Sequence, residues 1–278
     1  MTAETNAARL SASWQLTDTA ESGSLFPASW PHPISTQWAW GDGSGNGVRV
    51  CILDSGVEFD HPRVGPLQGT YAVVKDQHGK MTVTEDNEGD ISGHGTACAS
   101  IVRSLAPKCD IVSVRVLNHG NSGTGQALIA GLNWALEQGI NVINMSLSTR
   151  IPEVKHSLYH LADIAYFRRN IIVASAHNIP IESFPWRFAS VISVGSHKNP
   201  DPELIMYNPT PPVEFFARGN QVRAGWLRGG QTTCSGNSFA TPHVSAMCAR
   251  ILSAHPGLTP YQVKTVLHLT AANVIGGE

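Results

Sequence analysis

The sequence has no apolar run approaching the roughly 18 residues needed to cross a bilayer. Its first thirty residues also lack the basic start and apolar core of a secretory signal. The expectation is a soluble, unexported chain. Charge is equally sparse: 14% of residues are charged and the net charge is -2, so there is neither a basic field for nucleic-acid backbones nor a polybasic anchor for anionic lipid. Neither nucleic acid nor membrane is expected as a partner. There are only five cysteines, Cys51, Cys98, Cys109, Cys234 and Cys248, an odd number without any Cys-x-x-Cys pair. That pattern excludes a disulfide framework and the common zinc modules, and it suits a reducing cytoplasm. Twelve histidines are present, but none falls in a His-Glu-x-x-His pattern or a tight Cys/His cluster, so no metal and no other cofactor is expected. Internal repeats and low-complexity segments are missing too.

What remains is a chain of 278 residues, 42% of them hydrophobic, enough for a substantial core in one domain or two. Residues 1–33 are polar and end in the Pro-punctuated stretch Phe26-Pro27-Ala28-Ser29-Trp30-Pro31-His32-Pro33, which cannot continue a helix. They read as an N-terminal extension or arm, leaving 34–278 as the main domain. From Val48 onward, apolar β-branched runs recur at 48–54, 110–117, 141–147, 170–176 and 190–196. Runs apolar at successive positions predict strands buried on both faces, as in a parallel sheet. Stretches of 3.6-residue periodicity at 95–104, 125–138, 153–169, 238–254 and 259–269 predict helices between and after them. The alternation specifies an α/β fold: a doubly wound, mainly parallel sheet with helices on both faces.

Ligands of such sheets sit beyond the carboxyl ends of the strands, so the residues just after each strand are the place to search. Asp54-Ser55-Gly56 ends the first run, Gly93-His94-Gly95-Thr96 opens a helix, and Gly236-Asn237-Ser238-Phe239-Ala240-Thr241-Pro242-His243-Val244 opens a later one. Singly, an Asp after a strand is a turn former and a Ser before a helix is an N-cap. Jointly they supply what nucleophilic acyl transfer needs: a hydroxyl, an imidazole to take its proton, and a carboxylate to fix the imidazole. Ser238 at a helix start also lies where unpaired N–H groups and the helix dipole favour a developing oxyanion. Pro242 is read as lying in the first helical turn, where its missing N–H costs little. The glycine-rich stretch 120–125 joins a strand to a helix but lacks the Gly-Lys-Ser/Thr ending of a phosphate loop. The acidic stretch 85–90 lacks the ligand spacing of a calcium loop and is read as a solvated loop.

In these three segments and their chain order the sequence resembles the subtilisin-like serine peptidases over roughly residues 34–270. The resemblance implies a serine endopeptidase acting on a peptide or protein substrate, with Asp54, His94 and Ser238 as the catalytic triad and Asn178 as an oxyanion donor. It further implies that Gly123, Thr124 and Gly125 on one side, and Ser146, Leu147 and Ser148 on the other, pair with substrate backbone by strand addition. His177, Ser148 and Ser183 would line the S1 pocket, which takes the side chain preceding the scissile bond. Broad-specificity relatives commonly have glycine at those three places, and the family's usual Thr before the nucleophile is here Asn237. The inserted loop that holds calcium in many secreted relatives is missing after His94. A dedicated peptide-maturation role, cutting a leader or passing the acyl group to an amine, is one expectation within this chemistry; a catalytically silent peptide-binding module is the alternative from another class. An arm with an apolar-Pro motif, here Leu25-Phe26-Pro27, lies across the active site in intracellular members.

Overall fold

The computed structural model describes residues 30–31 and 33–275. The chain divides into two compact units, 1–32 and 33–278, and the architecture below is that of the second. The Leu25-Phe26-Pro27 segment lies outside the described residues.

The strands are β1 (Arg49–Asp54), β2 (Gly69–Lys75), β3 (Met81–Glu85), β4 (Asp110–Arg115), β5 (Val142–Met145), β6 (Ile171–Ser175), β7 (Ile192–His197), β8 (Met206–Tyr207), β9 (Phe215–Arg218), β10 (Val222–Trp226) and β11 (Gly230–Cys234). The helices are α1 (Thr36–Ala39), α2 (His94–Leu105), α3 (Gly125–Glu137), α4 (Lys155–Phe167), α5 (Asn237–Ala254), α6 (Pro260–Leu269) and α7 (Ala272–Ile275). β1 to β9 form one sheet in the order β3-β2-β4-β1-β5-β6-β7-β9-β8. It is parallel except where β3 pairs with β2 and β8 with β9. β10 and β11 make a separate antiparallel ribbon.

The doubly wound arrangement follows from the strands' residues. β1 is buried along nearly its whole length, with Cys51 and Leu53 on one face beside Val112, Val114, Ile143 and Met145. That face is covered by Leu128, Leu132 and Leu136 of α3 and Leu158 and Leu161 of α4, each side chain contributing about 1.5–3 kcal/mol on burial. The alternate positions of the same strands, Ile52, Asp54 and Asn144, meet α2 and α5 instead. Among the described residues no helix is long and apolar enough to cross a membrane.

The helix starts explain themselves locally. The Thr124 hydroxyl accepts the Ala127 N–H and caps α3, and Thr259 with Gln262 forms a capping box ahead of Pro260 in α6. The start of α2 has no side-chain cap at Gly93 itself. Its donors are taken by Asp90, whose Oδ1 accepts Ser92 N–H (2.9 Å) and Gly93 N–H (2.8 Å) and whose Oδ2 accepts Thr96 N–H (2.8 Å).

The stretch 85–90 is therefore not the solvated loop expected from its composition. Asp86 is buried and held by both arms of the Arg115 guanidinium, Nε to Oδ2 at 2.9 Å and Nη2 to Oδ1 at 2.8 Å. The edge hairpin of β2 and β3 was not anticipated either, because its strands are only half-buried and carry few strictly alternating apolar positions.

Burial opposes ionisation of Asp86, but the Arg115 hydrogen bonds and the Glu88 and Gly89 N–H groups outweigh it and hold its pKa below the ordinary carboxylate value. A depressed carboxylate pKa stabilises the fold above the unfolded value near pH 4 and loses that contribution as the pH falls through the native value. Asp86→Ala should thus cost about 2–3 kcal/mol at pH 7, because Arg115 is left without its buried partner. Urea denaturation checks this: the difference from the parent protein should shrink steadily below pH 4, and a difference independent of pH would contradict the assignment.

Candidate active site

β1 ends in Asp54, which is fully buried. A charge there must be met by donors, and Oδ1 accepts the Ser55 N–H at 2.7 Å and His94 Nδ1–H at 2.8 Å. His94 is the first residue of α2, so the anchor that seats α2 also aims the imidazole. Asp90 binds the helix start, Ser55 Oγ donates to Asp90 Oδ1 at 2.8 Å, and the same hydroxyl accepts the Gly95 N–H at 3.0 Å. The contact is too close for a side chain: a Cβ on Gly95 would lie 2.0 Å from the Gly56 carbonyl oxygen. This close approach accounts for the glycine after His94, while Gly56, two residues after Asp54, has φ +96° and would bring a Cβ 2.2 Å from the Gly89 carbonyl oxygen.

A carboxylate only accepts, so neutral His94 carries its proton on Nδ1 and turns a bare Nε2 outward. Burial works against the imidazolium, but the charge and hydrogen bond of Asp54, with Asp90 beyond, prevail and raise its pKa above the ordinary histidine value.

Ser238 follows Asn237 at the start of α5 and shares a cleft of about 300 Å³ with His94, Ser148, His177 and Asn178. No hydrogen bond joins Ser238 Oγ to His94 in this structure, whereas the His94–Asp54 edge is closed. Asn178, exposed just after β6, accepts the Asn237 N–H on its Oδ1 at 3.0 Å.

Pro242 corrects the sequence expectation. It sits inside α5, past the first turn, and the N–H it lacks is the one that would bond the Ser238 carbonyl. That carbonyl instead accepts Ser146 Oγ–H at 2.7 Å and the Cys98 thiol at 3.7 Å. Ser146 Oγ in turn accepts Asn144 Nδ2–H at 3.0 Å, and Asn144 Oδ1 accepts the Ser245 hydroxyl at 2.9 Å. A chain of buried polar groups thus ties the end of β5 to α5.

Alongside lies a larger cleft of about 610 Å³, walled by Gly123, Thr124 and Gly125 on one side and Leu147, Ser148 and Thr149 on the other. The two clefts share Leu117, Asn121, Leu147, Ser148 and His177. Gly125 is itself buried, its α-carbon pressed so near Val154 that a Cβ would lie 2.5 Å from that side chain. The Ser146 hydroxyl is turned to the Ser238 carbonyl rather than into the groove. Ser183 departs from expectation outright: it is fully buried, its hydroxyl accepts Trp186 Nε1–H at 2.7 Å, and it lines neither cleft. A nearby indole N–H needing an acceptor claims the group that was expected to face substrate.

Among the described residues, one group has potential metal-ligating atoms close together: Asp54, His94 and Cys98, within 4.8 Å of one another. Two of the three already bond to each other. Burial first, and then the charge of Asp54, push the Cys98 thiol well above its ordinary pKa, so it stays a thiol and a poor ligand.

Asp90, Asn144 and Asn237 carry much of this geometry and were missed as participants. A carboxylate four residues before His94 at a helix start is a capping signal, and a lone amide within the apolar run of β5 signals a buried polar partner.

Comparison with known proteins agrees with this architecture. The model of the subtilase family matches residues 45–278. Subtilisin DY from Bacillus licheniformis is 31% identical over 245 residues, covering 83% of this chain and 85% of its own. Thermitase from Thermoactinomyces vulgaris is 28% identical over 259 residues, covering 88% of each. Among solved structures, that of a cold-adapted subtilisin-like serine proteinase superposes with a TM-score of 0.61 at 27% identity, over 80% of this chain and 81% of that one. With a family model spanning most of its length and relatives aligned almost end to end, the chain belongs to the subtilase family and is a serine endopeptidase.

Proposed function

We propose that Ser238 is the nucleophile, His94 the general base and then acid, Asp54 the group that orients it, and that Asn178 Nδ2 and the Ser238 N–H form the oxyanion hole. The observation that carries this reading is the 2.8 Å Asp54–His94 hydrogen bond, made by an imidazole that lines the same cleft as Ser238. Ser238 Oγ attacks the scissile carbonyl carbon as its proton passes to His94 Nε2. The carbonyl π electrons move to oxygen, which faces the positive end of α5. Collapse re-forms the carbonyl and expels the amine, which leaves with the proton from Nε2. A water, deprotonated by the same nitrogen, then releases the acid and restores Ser238. Peptidyl phosphonate should label Ser238 stoichiometrically, and Ser238→Ala should abolish both labelling and turnover. Near-normal turnover in that variant would end the proposal.

The raised His94 pKa sets the pH dependence. The imidazole is an active base only when neutral, so kcat/KM should rise with pH through an acid limb centred above 6.5, the ordinary histidine value. Asp54→Asn removes the stabilising charge: the limb should move to lower pH while the rate falls about 10⁴-fold. A limb that stays in place would mean that another group titrates.

Substrate choice follows from the walls of the smaller cleft, where His177, Ser148, Ser175 and Asn121 bring polar groups to the space beside Ser238. A large apolar side chain there desolvates groups at about 1–3 kcal/mol each, comparable with the roughly 1.5–3 kcal/mol gained by burying it. Small or polar residues before the scissile bond are therefore favoured, which suits the selective cutting of a maturation protease. Five cysteines held as free, buried thiols support a reducing, cytoplasmic setting. Profiling a peptide library should show no Phe or Leu preference in the parent enzyme and its return in His177→Gly; strong Phe or Leu preference in the parent enzyme would sink the narrowed-pocket idea.

A further inference from the structure

We infer that Asn237 is a positioning residue that clamps the 176–178 turn and so fixes the direction of the Asn178 amide. The inference rests on the acyl-transfer reading above, in which Asn178 is an oxyanion donor. Asn237 sits half-buried between three elements. Its Nδ2 donates to the carbonyls of Ala176 (3.2 Å) and His177 (3.3 Å), and its Oδ1 accepts the Ser196 N–H of β7 at 3.0 Å. Its backbone N–H donates to Asn178 Oδ1, and its carbonyl accepts the Thr241 hydroxyl at 2.9 Å.

A backbone N–H can only donate, so the Asn178 atom that meets it must be the oxygen. No hydrogen bond within the described residues claims Asn178 Nδ2, so its N–H bonds stay available to the cleft that Asn178 lines with Ser238. That orientation is only as firm as the turn carrying Asn178, which is itself exposed. On its β-sheet side the turn is held by the Ala176 N–H to the Val194 carbonyl at 2.9 Å. Beyond that point the turn is held from within by the Ser175 hydroxyl, which donates to the Ala176 carbonyl at 3.0 Å, and by the Ile179 N–H, which donates to His177 Nδ1 at 3.2 Å. The Asn237 side chain is what ties it to α5, spanning both carbonyls immediately before Asn178. One carboxamide thereby connects β7, the turn after β6 and the residue adjoining Ser238, so that nucleophile and oxyanion donor are set against each other by a single group. A hydrogen-bond donor helps the transition state only if it is already in place, because reorganising it during the reaction forfeits the gain.

Complete loss of an oxyanion donor lowers kcat about 10²- to 10³-fold, so loosening one should cost a fraction of that. Asn237→Ala should lower kcat about tenfold per titrated active site, with KM within about twofold of the parent value. In an Asn178→Ala background the same substitution should cost nothing further. A purely structural role predicts instead the same factor in both backgrounds, and that result, or an unchanged kcat in Asn237→Ala, would overturn the inference. Rates are normalised to sites titrated with the phosphonate, so unfolded molecules do not count. Should Asn237→Ala fail to fold, Asn237→Asp keeps the Ser196 contact and places a favourable charge at the helix start while losing the Nδ2 donors. Its loss must be larger with Asn178 present than in the Asn178→Ala background, and equal losses again overturn the inference. Failure of the parent protein to label at Ser238 would instead strike the acyl-transfer reading.

Discussion

A carboxylate with no solvent exposure at the end of a central strand is the constraint around which the rest of the site is organised. A carboxylate buried there, as Asp54 is, needs hydrogen-bond donors fixed before substrate arrives. Ser55 N–H comes with the turn out of β1, and the imidazole comes with α2. Bringing α2 close enough demands the glycine-on-glycine approach at Gly56 and Gly95. It also demands that something other than the usual capping hydroxyl satisfy the helix start, and Asp90 does so while its charge adds to the field on His94. The Asp-Ser-Gly and Gly-His-Gly-Thr motifs of the sequence are thus the two visible ends of one electrostatic requirement.

The second organising fact is that α5 does not stand alone. Its first residue is bonded to Asn178 and, through its side chain, to the turn after β6 and to β7, while its second residue leans by its carbonyl on β5. β5 and β6 both end at this point, and a nucleophile anchored to the sheet rather than to its own helix inherits the sheet's rigidity.

The strongly patterned parts of this molecule were legible before any coordinate. β1, β4, β5, β6 and β7 are largely apolar runs, the helices α2, α3, α4 and α6 have a one-sided apolar pattern with capping residues at the starts of α3 and α6, and α5 is buried all round from Phe239 to Leu252. The strands with exposed faces were not legible: β2 and β3 lie at a sheet edge, β10 and β11 form a ribbon, and their residues mix polar and apolar without strict alternation. Asp54, His94 and Ser238 stood out through motif and chain order, and Asn178 only through the family resemblance. Ser183 misled because resemblance fixes a backbone position but not what a neighbouring Trp186 asks of the side chain. Asn144 was passed over, and Ser146 was read only as a substrate-pairing residue, because their bond to the nucleophile's carbonyl depends on Pro242, nearly a hundred residues away in sequence, removing a donor.

That proline has a consequence for how the protein comes apart. An ordinary helix end frays on its own, one turn at a time, at little cost and without disturbing what lies behind it. Here the carbonyl at the frayable end is held by side chains from the sheet, and those side chains are in turn held by Ser245, deeper along α5. Loosening the first turn therefore means parting a buried polar chain that runs back into the core. Amide hydrogens around Ser238 should accordingly exchange with solvent in step with the interior of the molecule, not with its surface, and the active centre is lost only when the sheet itself opens.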